Sequence, residues 1–231
     1  QFQMDQNGYI VNAQGHRLSG YPVNPLTGVI STGSSGPLQI PTAAITPMPT
    51  STSEVGINLD SRDVVPTTSP FDPTDPTSYN NSTAMTIFDS LGNNHIATFY
   101  FEKVAAPVNT WNSYMTVDNL APNGAAATAA NTSLGSMTFS STGLLASTIP
   151  ATVPLGTVTV PGGIVYANGA TTPQAMTMDF ATSTQFGAVF GVNTLNQNGY
   201  TSGQLNGFST SSDGTIMGRY TNGQSQPLGQ V

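Results

Sequence analysis

The chain has 231 residues, a formal net charge of -7 and no cysteine, and only 6% of its residues are charged. An ordinary soluble domain carries about 25% charged residues, so Ser, Thr, Asn, Gln and Gly must cover this surface. Four Lys and Arg cannot neutralise a nucleic-acid backbone or hold an anionic membrane, and disulfides, thiolate metal sites and a cysteine nucleophile are excluded.

At 37% hydrophobic content the chain can bury a core, as one large or two small domains. No stretch approaches the roughly 20 apolar residues of a membrane helix. The first ten residues, "QFQMDQNGYI", have no basic region followed by an apolar run. They read as the middle of an element rather than a signal peptide.

Helix signals are sparse, because 24 Gly and 17 Pro interrupt nearly every ten-residue window. Residues 8–22, "GYIVNAQGHRLSGYP", read as a strand, a turn at Gly15 and a second strand stopped at Pro22. Residues 82–104, "STAMTIFDSLGNNHIATFYFEKV", are the clearest hairpin, with a loop over 89–94. Met85 and Ile87 share one face of its first strand; Ala97, Phe99 and Phe101 share one face of the second. In "WNSYMTVD", Trp111, Met115 and Val117 fall on a single face. The low-complexity patch 121–133, "APNGAAATAANTS", reads as a surface loop, with a helical turn or two as the alternative. "SMTFS", "GTVTV" and "AMTMDF" return to the two-residue period, the last through Met176, Met178 and Phe180. The C-terminal stretch reads as a three-stranded meander with turns at Asp213-Gly214 and Asn222-Gly223, dipeptides that supply positive φ.

Short strands at this spacing indicate sandwiches or barrels. Residues 45–54, with Pro47 and Pro49 among small hydroxyls, and residues 192–203 read as linkers. The expected fold is therefore all-β, with two β-rich domains and the second inserted into the first. Residues 1–50 and 193–231 would build an inner domain from both chain ends, and 51–192 an outer one. An N-terminal piece standing alone would have too few strands to be stable.

A search for chemistry finds no catalytic, cofactor or metal constellation. His16 and His95 read as exposed turn histidines. Asp60 and Asp63 flank Arg62, and Asp72 and Asp75 sit among prolines. Paired carboxylates could serve glycoside hydrolysis, but solvated loop acids are the plain reading. "DQNG" at 5–8 matches the start of a calcium loop yet lacks its remaining acids. The sequons at Asn80, Asn81 and Asn131 follow from an Asn/Ser/Thr-rich composition. On these grounds the chain is an extracellular-type structural or binding protein. The rival is a carbohydrate-binding or adhesive β-sandwich with an exposed aromatic platform at Trp111 or Tyr114.

"MDQNGYIVNAQGHRLSGYP" (4–22) resembles the D-x-x-G-x-[LIV]-V-N-x-x-G-x-x-L-x-G-Y-P pattern of the bacterial flagellar rod and hook family. Residues 82–103, with the D-S-x-G-N turn at 89–93, are similar to the inserted outer domain of flagellar hook proteins. Residues 198–231 resemble the hook pattern N-G-Y-x-x-G-x-L-x-x-[FY], D-G-T-[IV]-x-G-x-Y-[ST]-N-G and Q-x-L-G-Q-[IV]; Thr210 stands where a branched aliphatic is usual, which should weaken that strand's core face. The likeness is weakest over 104–190. The resemblance implies an axial subunit exported by the flagellar type III route, which assembles with copies of itself into a curved tube. Rod, hook-cap and hook–filament junction proteins would be its neighbours, and no nucleic acid or membrane its partner. It also implies a middle fragment without the family's terminal helices, monomeric when isolated.

Overall fold

The computed structural model describes residues 2–24, 28–41, 43–151 and 154–231. In chain order its strands are β1 (Phe2–Met4), β2 (Ile10–Asn12), β3 (Ser19–Pro22), β4 (Gly36–Pro37), β5 (Thr52–Asn58), β6 (Asn81–Phe88), β7 (Asn94–Lys103) and β8 (Thr110–Val117). One helical turn, α1 (Ala129–Thr132), precedes β9 (Ser133–Phe139), β10 (Leu145–Ile149), β11 (Thr157–Thr159), β12 (Thr177–Asp179) and β13 (Gly191–Gln197). β14 (Leu205–Thr210), β15 (Thr215–Tyr220) and β16 (Ser225–Gln230) close the chain. The patch at 121–133 is thus mostly loop, but Asn131 and Thr128 form a capping box that sustains the one turn of α1. The fold is all-β, as the two-residue periods predict. It divides into two compact units, residues 1–46 with 202–231, and residues 47–201.

In the unit at 47–201, β10-β9-β8-β7-β6 form one antiparallel sheet and β11-β12-β5-β13 a second. The two sheets close on a shared core that includes Val55, Ile57, Phe99, Phe101, Trp111, Met115, Met178 and Phe180. The alternation places Met85, Ile87, Ala97, Phe99 and Phe101 in this core, and all of them are buried. Burying one such large apolar side chain contributes about 1.5–3 kcal/mol relative to leaving it in water. β8 departs from simple alternation. Its opposite face is covered too, because Phe71 from a long loop stacks on Tyr114 with centroids 4.0 Å apart.

Two pairings in this unit are not local. β12 runs parallel to β5, with Thr177 opposite Thr52, and β13 runs antiparallel to β5, with Gly191 opposite Asn58. The stretch 192–203, read as a linker, therefore begins as a strand. Asn198 fixes the return, its Oδ1 accepting the Ser51 and Thr52 amides.

The other unit has a small core of Ile10, Leu38, Ile40, Ile216 and Leu228. Its main sheet runs β14-β15-β16-β3-β4, and β1 pairs with β2 beside it. Glycines make room for the leucines. A Cβ on Gly218 would sit 2.6 Å from Leu228 Cδ1, so with glycine there the Leu228 side chain can lie close against β15 without shifting. Pro227 lies in a central strand, where a proline is normally excluded, but the β15–β16 register shifts at that point and the bulge accommodates it. The meander forms as read from the sequence. Thr210 is exposed on edge strand β14, so the departure from the hook pattern there leaves the core face intact.

One loop recurs through both units. At 5–9, 12–16, 89–93, 121–125, 140–144, 211–215 and 220–224 the first residue's N–H reaches the fifth carbonyl, and the fourth residue, glycine in every one of them, donates to the first carbonyl. This is a type I turn closed by a glycine bulge. At Asp5, Asn12 and Asp89 the side-chain Oδ1 also accepts the amides two and four residues on. That double acceptance is the physical content of the D-x-x-G and N-x-x-G motifs. It also assigns "DQNG" to a turn. Only the glycine takes positive φ: Gly214 is at +83° and Gly223 at +82°, while Asp213 and Asn222 are not in that region.

Candidate functional site

The scattered acids are occupied with local structure. Asp60 receives Arg62 through Nε at 2.9 Å and Nη2 at 2.7 Å. The Arg62 side-chain bond, with the Arg62 amide, holds the Asp60 carboxyl down at about 2. Asp63 accepts Asn81 Nδ2, while Lys103 Nζ donates to the carbonyls of Ser61 and Asp63. Asp72 and Asp75 each cap their own turn through the amide and hydroxyl of Thr74 and Thr77. Each of these carboxylates is paired by a neighbour that shapes its loop, the arrangement of a brace rather than of an acid–base pair.

His16 is exposed in the second hairpin. His95 is not an exposed turn histidine. Its side chain is 12% exposed and lies between Asp89 Oδ2, 3.3 Å from Nε2, and Asp118 Oδ2, 2.6 Å from Nδ1. Asp89 is fully buried at the head of the β6–β7 loop and also accepts Asn93 Nδ2 and Asn168 Nδ2. Burial pushes its carboxyl up, but the bonds from Asn93, Asn168 and His95 together outweigh burial and hold it well below the usual carboxylate range. The Tyr166 ring lies against the imidazole at 4.3 Å. Burial first, then the Asp89 and Asp118 charges, push the Tyr166 phenol up. Local sequence reasoning missed this cluster, because Tyr166 and Asn168 arrive from a loop more than seventy residues away. The available signal was the D-S-x-G-N loop, whose Asp and Asn are two of its members.

The aromatic platform expected of a carbohydrate-binding module is not formed by the residues proposed for it. Trp111 is fully buried and its Nε1 donates to Gln185 Oε1 at 2.8 Å. Tyr114 lies under Phe71 and donates to Glu102 Oε2 at 2.6 Å. Burial, then the Glu102 bond, push the Tyr114 phenol up. Neither ring can stack on a sugar without unfolding its surroundings.

A shallow depression lies over the meander, lined by Asn206, Gly207, Arg219, Tyr220 and Ser225 among others. It contains one cationic side chain and no partner acid or nucleophile pair. Among the described residues no cluster of three His, Asp or Glu is placed to hold a metal ion. No helix among them is long and apolar enough to cross a membrane. What the geometry offers is a sparsely charged β surface on two units, with most of its loop acids held by local hydrogen bonds.

Comparison with known proteins gives a consistent result. The profile of the family described as flagellar basal body protein FlaE D2 domain matches residues 58–200. The whole chain aligns with the flagellar hook protein FlgE of Salmonella typhimurium at 37% identity over 235 residues, covering 54% of that protein. The flagellar hook protein FlgE of Escherichia coli aligns over the whole chain at 34% identity, and that of Treponema pallidum at 29%. The chain thus spans about half the length of the curated relatives it matches. In three dimensions the chain, over its full length, superposes on 79% of the Helicobacter pylori flagellar hook protein FlgE2 with a TM-score of 0.59 at 12% identity, a shared fold.

Proposed function

The chain belongs to the flagellar basal body protein family defined by the FlaE D2 domain, and on that premise we propose that it is the central part of a subunit of the bacterial flagellar hook. The subunit assembles helically with copies of itself into the short curved tube outside the cell that passes motor torque to the filament as a universal joint. The observation that carries this reading is the alignment of the whole chain, both ends included, with flagellar hook proteins of several bacteria.

The surface chemistry supports it. A tube that bends while it turns must let neighbouring subunits change contacts at every revolution. Wide apolar interfaces would hold one geometry, whereas polar contacts that exchange with water hold many at similar free energy. A chain with 6% charged residues and abundant Ser, Thr, Asn and Gln presents contacts of the second kind. Rod, hook-cap and hook–filament junction proteins are its neighbours at the ends of the tube, and the flagellar type III route exports it. The function calls for no cofactor and no catalytic group.

The test is an in-frame deletion of the coding region for 58–200 in the source bacterium, with basal bodies inspected by electron microscopy. Cells without hooks and without swimming are the expected result. Normal hooks and normal swimming would overturn the assignment.

A further inference from the structure

We propose that His95 is a proton-operated latch: with both ring nitrogens protonated it ties Asp89 to Asp118, and on losing one proton it frees the Asp118 side chain. This regulatory device goes beyond the hook assignment and does not depend on it.

Both partners of the ring are carboxylates, which only accept hydrogen bonds when ionised. The two contacts, Nε2 to Asp89 at 3.3 Å and Nδ1 to Asp118 at 2.6 Å, are satisfied together only if each nitrogen carries a proton. With one proton gone, either tautomer points a lone pair at a carboxylate oxygen, and two negative groups face each other across a neutral ring. The Tyr166 ring beside the imidazole, 4.3 Å away, also favours the cation.

The titratable groups facing the ring are Asp89 from the β6–β7 loop, Asp118 from the turn after β8 and Tyr166 from the loop between β11 and β12. Lys103 is at the far end of β7 and reaches the carbonyls of Ser61 and Asp63 instead.

The two carboxylates are not equally free to leave. Asp89 is fully buried and held by the Leu91 and Asn93 amides and by the amides of the Asn93 and Asn168 side chains. Asp118 is 49% exposed, and it and Asn119 both sit at positive φ, +50° and +67°. This is the backbone of a two-residue hairpin turn, which Asp and Asn tolerate better than other residues with a Cβ. The turn itself is closed by the Val117 amide on the Leu120 carbonyl and the Leu120 amide on the Val117 carbonyl, while Asp118 is tied to the start of β7 by the Ile96 amide on its Oδ1, by its own amide on the Ile96 carbonyl, and by His95. Deprotonation therefore opens the Asp118 side of the latch and leaves the Asp89 side closed.

The test is amide hydrogen exchange by nuclear magnetic resonance on the whole chain between pH 5.5 and 8.5, corrected for the intrinsic pH dependence of exchange. The wild type is compared with His95→Gln and with His16→Gln, which alters the other, exposed histidine. In the wild type and in His16→Gln, protection of the Ile96 amide, which donates to the Asp118 carboxylate, should fall by about tenfold between the two ends of this pH interval. Protection of Phe99, deeper in β7, should not change. In His95→Gln the pH-dependent step should vanish. Ring nitrogen shifts of His95 in the wild type supply a readout that needs no variant, since loss of the ring proton and loss of protection must share one midpoint. Flat protection in the wild type, a step that survives in His95→Gln, or two separate midpoints would each overturn the latch.

Discussion

Gly8 and Gly15 occupy the same position in two successive loops of the same type, yet alanine should cost very different amounts at each. Both sit at positive φ, +83° and +82°. A Cβ on Gly15 would meet nothing within 4 Å, whereas one on Gly8 would lie 2.6 Å from the Ile40 carbonyl oxygen. Alanine at Gly15 therefore incurs only the left-handed backbone penalty, about 1–2 kcal/mol. Alanine at Gly8 incurs that and more. The Ile40 amide donates to the Gly8 carbonyl at 2.8 Å, and Ile40 is 2% exposed in the small core. Pushing that backbone away loses about 1 kcal/mol for the hydrogen bond and about 1 kcal/mol or more for displaced packing. The difference between the variants is about 2 kcal/mol, or roughly thirtyfold in an opening equilibrium. Trp111, in the other unit, does not report on this region, so the assay is hydrogen exchange at the Ile10 and Ile40 amides. Asparagine, which tolerates positive φ, should restore most of the loss at Gly15 and little at Gly8. Equal costs for the two alanine variants, or a larger cost at Gly15, would refute the reasoning from the Ile40 contact.

Trp111→Phe should lower stability by about 2–3 kcal/mol, because it opens space in the core and leaves Gln185 Oε1 without its donor; thermal unfolding followed by circular dichroism measures it. Asp89→Asn should destabilise the chain more at pH 6 than at pH 2. The folded carboxyl is held well below its unfolded value, so its contribution is complete above about pH 4, shrinks as the pH falls below that, and is lost only when acid protonates the carboxyl in the fold. Urea midpoints of both proteins across that range check this, and a gap independent of pH would contradict it. The chain by itself should sediment as a monomer at high concentration. It spans about half of its relatives, and single polar contacts between β units are weak unless many act together along a lattice. Ordered tubes formed by the chain alone would show that these units carry the assembly energy.

The parts of the fold legible in the sequence were those set by neighbours along the chain. Hairpin β6–β7 could be read residue by residue, because alternation of Met85, Ile87, Phe99 and Phe101 with polar residues records which face is buried. The C-terminal meander could be read because Asp213-Gly214 and Asn222-Gly223 mark its turns. The parallel pairing of β12 with β5 could not, since nothing local distinguishes a strand that will pair with its neighbour from one that will pair across more than a hundred residues. β13 was hidden for the same reason. Its sequence, "GVNTLNQ", is polar enough to pass for a linker, and it becomes a strand only because β5 offers an edge. Tyr114 looked available because its cover, Phe71, lies in a proline-rich loop that carries no period. The His95 cluster stayed hidden because burial of a histidine is decided by what packs on it, here Tyr166 and Asn168 from a distant loop.

The most direct test of the hook assignment is to locate the protein on the cell. Antibodies raised against the 231-residue chain, detected with gold on negatively stained cells of the source bacterium, should label the short curved segment between the cell body and the filament. Label on the filament or the cell wall, with that segment bare, would contradict the assignment.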